Sequence, residues 1–192
     1  MSEPARTSRP GGRTARTTEA VHSATLALLA DRGFDSVSVD AVAETAGVHR
    51  TTVYRRWGNR EALVTDALAA NAADRVPIPD EGDLRSDLEA LARVVADNLA
   101  STLGGSLATA MVGQPHSPEM AALSEGFWRA RFDAAAVIVE RAVARGECPV
   151  ETEPKRLVEA AVAPIWFRLL VQRRDVDQRL IDDSVAAAMA TT

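Results

Sequence analysis

The chain has 192 residues, with 22 basic against 27 acidic side chains, a formal net charge of -5, 46% hydrophobic residues and only 4% aromatic ones. That apolar fraction supports a packed core and excludes a disordered chain, while 36 alanines and the near absence of Val-Thr-Tyr alternation exclude a β-sandwich and predict an all-α fold. A single cysteine, Cys148, the lack of a leader pattern and the lack of any apolar run near the roughly 18 residues of a membrane span lead us to expect a cytoplasmic protein without a membrane segment.

The net charge conceals a division. Residues 1–60 carry nine basic against six acidic side chains, whereas residues 61–192 carry thirteen against twenty-one. A basic segment attracts phosphate and an acidic one repels it, so nucleic acid, if bound, is expected at the N-terminal third.

Residues 1–13, MSEPARTSRPGGR, have no apolar period and read as a flexible basic arm, suited either to reaching into a minor groove or to serving as an inert solubilising tail. From Thr17 to Arg32, Val21, Ala24, Leu28 and Leu29 recur at helical spacing, and Gly33 stands where a left-handed cap belongs. A short second helix follows Ser38, its expected cap, with Asp40 in the first turn and Val39, Val42 and Ala43 on one side, until Gly47 ends it. The third, HRTTVYRRW, follows after no more than a tight turn, and Asn59 is expected to cap a fourth, with Glu61 in its first turn. Residues 14–60 thus form a first domain and 61–192 a second. Pro77, Pro79, Asp80, Glu81 and Gly82 read as a hinge-like linker.

Long helices are expected beyond it: one from Asp83 to about Thr102, a short one from about Ser106 to Val112 and, after a break at GQPHS, one capped by Ser117 and opened by Pro118. Met120, Leu123, Phe127, Ala134 and Val137 would carry its inner stripe to about Arg145. The last two run from about Glu153 to Arg173 and from about Val176 to Met189, which makes about nine helices. In the former, Leu157, Ala161, Ile165 and Leu169 form one row and Val158, Val162, Trp166 and Leu170 another. A helix apolar over most of its circumference needs cover on several sides, and a second copy of the chain, approaching over Ala160, Ala161 and Ala163, is the simplest source; we therefore expect a homodimer, and a kink at Pro164.

Two short helices joined by a Gly-containing turn, the second of them basic, form a helix-turn-helix, whose second helix enters the major groove of DNA. On a helical wheel Val53 and Trp57 face inward with Val48, leaving Thr51, Thr52, Tyr54 and Arg55 outermost and Arg50 and Arg56 on the flanks. Hydroxyls of Thr52 and Tyr54 can donate to phosphate, and arginine can pair bidentately with guanine. His49, Arg50, Arg55, Arg56 and Arg60 fall within twelve residues that hold no carboxylate. Charge alone favours a solvated basic face; the turn and the aromatic pattern reverse that in favour of DNA binding.

The string GFDSVSVDAVAETAGVHRTTVYRRWGNREALV resembles the DNA-binding signature of the TetR family of bacterial transcriptional regulators, over residues 17–68. The resemblance implies an all-helical homodimer with a three-helix head and a C-terminal domain that binds a small molecule and dimerises through its last two helices. It further implies that Ser38, Thr52, Tyr54 and Arg60 touch phosphate, and that Arg50, Thr51 and Arg56 lie at base edges. The wheel ranks Arg55 above Arg50, which the family pattern does not.

Residues 83–192 match the family in helical layout only. Five of the eight aromatics cluster in two helices, so an effector pocket is expected among Met111, Phe127, Trp128, Phe132, Trp166 and Phe167, although each of these alone also suits plain core. Nucleophile elbow, phosphate loop, dinucleotide fingerprint and zincin motif are all missing, and His22, His49 and His116 are scattered, so neither an enzyme nor a metal or cofactor site is expected. The reading is a transcriptional regulator, in the first place a repressor released from double-stranded operator DNA by a small-molecule effector; a ligand-independent regulator or activator and a helical adaptor are the alternatives.

Overall fold

Alanine-rich segments with few β-branched runs favour helix, and the residues described by this computed structural model, 11–112 and 118–190, form nine helices and no strand. These are α1 (Gly11–Arg32), α2 (Val39–Ala46), α3 (Arg50–Trp57), α4 (Arg60–Arg75), α5 (Leu84–Ala100), α6 (Thr102–Val112), α7 (Pro118–Arg145), α8 (Pro154–Trp166) and α9 (Gln178–Met189). A 3-10 turn, Phe34–Ser36, follows α1, and a turn of π-helix, Phe167–Val171, continues α8. Residues 1–10 of the expected arm, the GQPHS break and the Ser117 cap lie outside the described residues; Gly11–Arg13, assigned to the arm from composition, begin α1.

The chain divides into two compact units inside α4, one up to Ala67 and the other from Leu68, seven residues beyond the boundary read from the sequence. The first half of α4 goes with the head because Leu63, Val64 and Ala67 are fully buried and Asp66 is bonded to α1 and α3.

In the first unit, local chemistry ends each helix. Ser38 caps α2, its Oγ accepting from the Ala41 N–H at 3.1 Å, and Asn59 Oδ1 accepts from Ala62 N at 2.8 Å at the start of α4. Gly47 sits at φ 64°, ψ 33°, and the Val48 N–H closes back on the Ala43 carbonyl at 2.9 Å. That left-handed step sets the angle between α2 and α3 and is costly for a residue with a Cβ.

In the second unit α8 packs against α5, α7 and α9. Leu157, Val158, Ala161, Val162 and Ile165 are all buried there, so both apolar rows of α8 find their cover within the chain. This overturns the sequence argument that such a helix needs a second copy to cover it. What stays exposed is a narrower strip with Ala163, Phe167 and Val171. The departure from α-geometry comes at Phe167, three residues after Pro164, as the π-turn, and Arg173 in the left-handed region (φ 54°) ends the run while the Arg174 N–H bonds the Arg168 carbonyl at 3.2 Å.

Two further expectations change. The inner row of α7 beyond Phe127 is Ala135, Ile138, Val139 and Ala142, with Val137 40% exposed, because an unbroken apolar run leaves the helical phase unreadable. The proline-rich segment 76–83 is not a hinge. Arg141 donates to the Pro79 carbonyl and its Nη1 lies 3.1 Å from Asp80 Oδ2; fully buried Asp87 accepts from Glu81 N at 2.6 Å; Glu147 Oε2 accepts from Leu84 N at 2.6 Å. Arg141 and Arg145 stand 3.7 and 3.8 Å from Asp87 Oδ2, and these charges fasten the segment to α5 and α7.

Candidate functional site

On α3 the spacing of Val53 and Trp57, four residues apart, buries them to 0% and 9% exposure and turns the opposite side outward. Arg50, Thr51, Arg55 and Arg56 are exposed, Tyr54 is 49% exposed and Thr52 is half-buried. Ser38 is exposed while its hydroxyl caps α2. Among the described residues no carboxylate pairs with Arg50, Arg55 or Arg56; the Arg56 guanidinium lies 5.0 Å from the Trp57 ring centroid. Arg60 differs from them: it is half-buried, its guanidinium stacks 4.1 Å over buried Phe34, and its Nε is 3.3 Å from Glu61 Oε1. It braces the head as well as facing outward.

Two supports of α3 had no readable pattern. His49 caps it, with Nδ1 3.4 Å from Thr51 N and 2.9 Å from Thr51 Oγ1. Asp66 Oδ2 accepts from Trp57 Nε1 at 2.7 Å and stands 2.9 Å from His22 Nε2, with the His22 and Trp57 rings 5.8 Å apart. The Trp57 bond above all holds the Asp66 carboxyl below the usual carboxylate range, against the opposing effect of burial. α1, α3 and α4 thus meet at one carboxylate oxygen. Three residues on three helices leave no spacing signal in a sequence.

The second unit holds a partly open cavity of about 110 Å³. For scale, an apolar cavity of about 150 Å³ holds a benzene ring. Met111, Phe127, Trp128, Phe132 and Trp166 line it, with Phe127–Trp128 and Trp128–Trp166 in edge-to-face contact at 4.9 and 5.0 Å between centroids. Phe167 does not: 54% exposed and one residue further round α8, it faces an open apolar groove with Ala163, Leu170 and Val171. Leu68, Asn71, Ala72 and Val76 line the cavity from α4 and the residue after it. Gly104 admits α6: a Cβ there would stand 2.0 Å from the Asn98 carbonyl oxygen at the end of α5. The polar lining, Asn71, Asn98 and Arg131, was missed; its one signal was an arginine set between Trp128 and Phe132. No described helix is long and apolar enough to cross a membrane, and the described residues hold no group of three or more potential metal ligands.

A helix-turn-helix unit joined in sequence to a second, all-helical unit defines a class of DNA-binding proteins, and comparison with known proteins agrees. Residues 22–67 match the family described as bacterial regulatory proteins, tetR family, and residues 78–188 match the tetracyclin repressor-like C-terminal domain. The uncharacterized HTH-type transcriptional regulator YdeS of Bacillus subtilis is 30% identical, over 90% of this chain and 87% of its own. The HTH-type transcriptional regulator AqdR of Rhodococcus erythropolis is 36% identical over 76% and 70%, and the DNA-binding transcriptional repressor TetR of Mycobacteroides abscessus 34% identical over 82% and 86%. The crystal structure of the TetR family transcription regulator SCO0332 superposes with a TM-score of 0.73 at 25% identity, covering 92% of this chain and 98% of that one. The chain belongs to the TetR family: it is a helix-turn-helix, DNA-binding transcriptional regulator and not an enzyme. Regulators of this family bind operator DNA and act as homodimers.

Proposed function

We propose that the protein is a homodimeric repressor that reads a two-fold symmetric operator with α3 and leaves it when a small molecule fills the cavity of the second unit. The observation that carries the DNA reading is the outward face of α3, where three exposed arginines, none in an ion pair among the described residues, flank Thr51 and Tyr54. In this reading Arg50, Thr51, Arg55 and Arg56 reach base edges, while Ser38, Thr52, Tyr54 and Arg60 hold the phosphates on either side.

The dimer forms through α8 and α9. Ala163 on α8 and Ala186, Ala187 and Ala190 at the end of α9 are exposed and small enough for close helix approach, and exposed Phe167, which shares a groove with Ala163, offers an apolar anchor. Two recognition helices related by a two-fold axis must then sit about 34 Å apart to enter successive grooves. α4 begins behind the recognition helix and ends on the cavity wall, so a ligand that displaces its end can alter that spacing, with a coupling on the order of 1 to 3 kcal/mol.

Selection of bound duplexes from a random library, followed by footprinting, tests the reading. A palindromic site protected as two half-sites one helical turn apart is the expected result; an asymmetric single site would refute the symmetric arrangement. Light scattering on Ala187→Glu, expected to yield monomers, tests the α8–α9 interface.

A further inference from the structure

The cavity has a charge that its surroundings do not lead one to expect. Residues 68–192 hold thirteen basic and nineteen acidic side chains, yet among the described residues the cavity lining contains one arginine, two asparagines and no carboxylate. Arg131 of α7 is half-buried, and among the described residues no carboxylate forms an ion pair with it. Burial pushes its guanidinium below its ordinary value, and no carboxylate among the described residues opposes the shift. Among the described residues its hydrogen bond runs from Nη2 to the Val76 carbonyl at 2.7 Å, just past the C-terminal end of α4. A guanidinium has five N–H donors, and capping one carbonyl uses one of them. Burying a cation is costly unless an anion pairs with it, and for helix capping alone a neutral amide would serve.

We propose that the cavity is built for an apolar acid, a small molecule whose carboxylate pairs with Arg131 and whose hydrocarbon body lies among Met111, Trp128 and Phe132. This rests on reading the cavity as the effector site. Asn71 and Asn98 line the same cavity and add polar groups to it, and a carboxylate is the anion that the planar fork of arginine binds through two parallel bonds. The same guanidinium fastens the end of α4, so an acid that draws it into the cavity competes with the Val76 carbonyl, which makes Arg131 the group through which ligand charge is felt at that helix.

The test uses the full chain, 3-phenylpropionate, its uncharged analogue 3-phenylpropanol, and tryptophan fluorescence, since Trp128 and Trp166 both line the cavity. At neutral pH the acid should bind on the order of tenfold or more tighter than the alcohol. In Arg131→Gln, which retains a donor for Val76, that preference should vanish, acid and alcohol then binding alike; Arg131→Lys, which keeps the charge but not the fork, should retain part of it. Matched binding of acid and alcohol by the unmodified protein overturns the proposal but leaves the cavity as an effector site. An acid preference that survives in Arg131→Gln also overturns it. Quenching by neither compound overturns both. Arg131-dependent acid binding that fails to release operator DNA upholds the anion site and removes the effector reading instead.

Discussion

The two units of this protein carry function in opposite ways. The head presents it on a surface: α3 is short, its inward residues are two, and everything else on it is available to a ligand many times its size. The second unit presents it as a space that no single helix forms, bounded by α4 to α8 and polar at only three side chains. A surface readout can be written in one contiguous stretch of chain, because helical spacing alone decides which side chains face out. A cavity cannot, because its shape is the remainder left after distant segments pack. The head can therefore keep a recognisable contiguous string, whereas the second unit, although residues 78–188 match the family's C-terminal domain, spreads its cavity lining over segments far apart in the chain.

The sharpest way to separate the units is to remove the support of α3. Trp57→Ala deletes a nearly buried ring and its bond to Asp66, and is expected to cost the head about 3–5 kcal/mol. DNA binding should be lost while cavity ligands still quench the remaining tryptophans; loss of both would mean that the units do not fold independently. Within the head, Arg50→Ala should relax base preference by roughly 1–3 kcal/mol, measured by competition among operator variants. Arg60→Ala should weaken all sequences alike, lower the salt slope by about one and also lower the melting temperature, because Phe34 loses its stacked guanidinium. Equal effects of the two on sequence preference would refute the division between base and phosphate contact.

In the second unit, Gly104→Ala places a methyl where the Asn98 carbonyl oxygen already stands, and overpacking of this kind costs about 1–3 kcal/mol. Cavity binding should fall while a head that still folds retains DNA affinity; unchanged ligand affinity would show that α6 is free to move. The smallest effect is expected from acid. Asp66 titrates below its ordinary value in the folded head, so its contribution is complete above the ordinary carboxylate value and is lost as pH falls through the depressed one. Melting of the head against pH should show this loss in the native chain and a flatter profile in Asp66→Asn; an identical profile in the variant would remove Asp66 as the cause.

Much of the head was legible because its signals are local. Ser38 and Asn59 cap helices by reaching three residues along the chain, and Gly47 ends α2 through its own backbone conformation. The bracing of Arg60 on Phe34 and the junction of His22, Trp57 and Asp66 were not legible, since they join residues far apart in sequence. In the second unit the five aromatics of α7, α8 and the π-turn are visible in the sequence, but Phe167 does not line the cavity expected of it. The π-turn and one residue's rotation on α8 decide that, and neither leaves a mark on apolar periodicity.

By itself the amino-acid order determined the all-helical class, the places where helices start and stop in the head, and the two residues that anchor the recognition helix, all of which act over a few peptide units. Tertiary packing decided that α8 is covered by its own chain, that the proline-rich segment is fastened rather than free, and that a lone arginine borders an apolar void. Burial and ion pairing depend on which distant segments come together, and that partnership is a property of the whole fold.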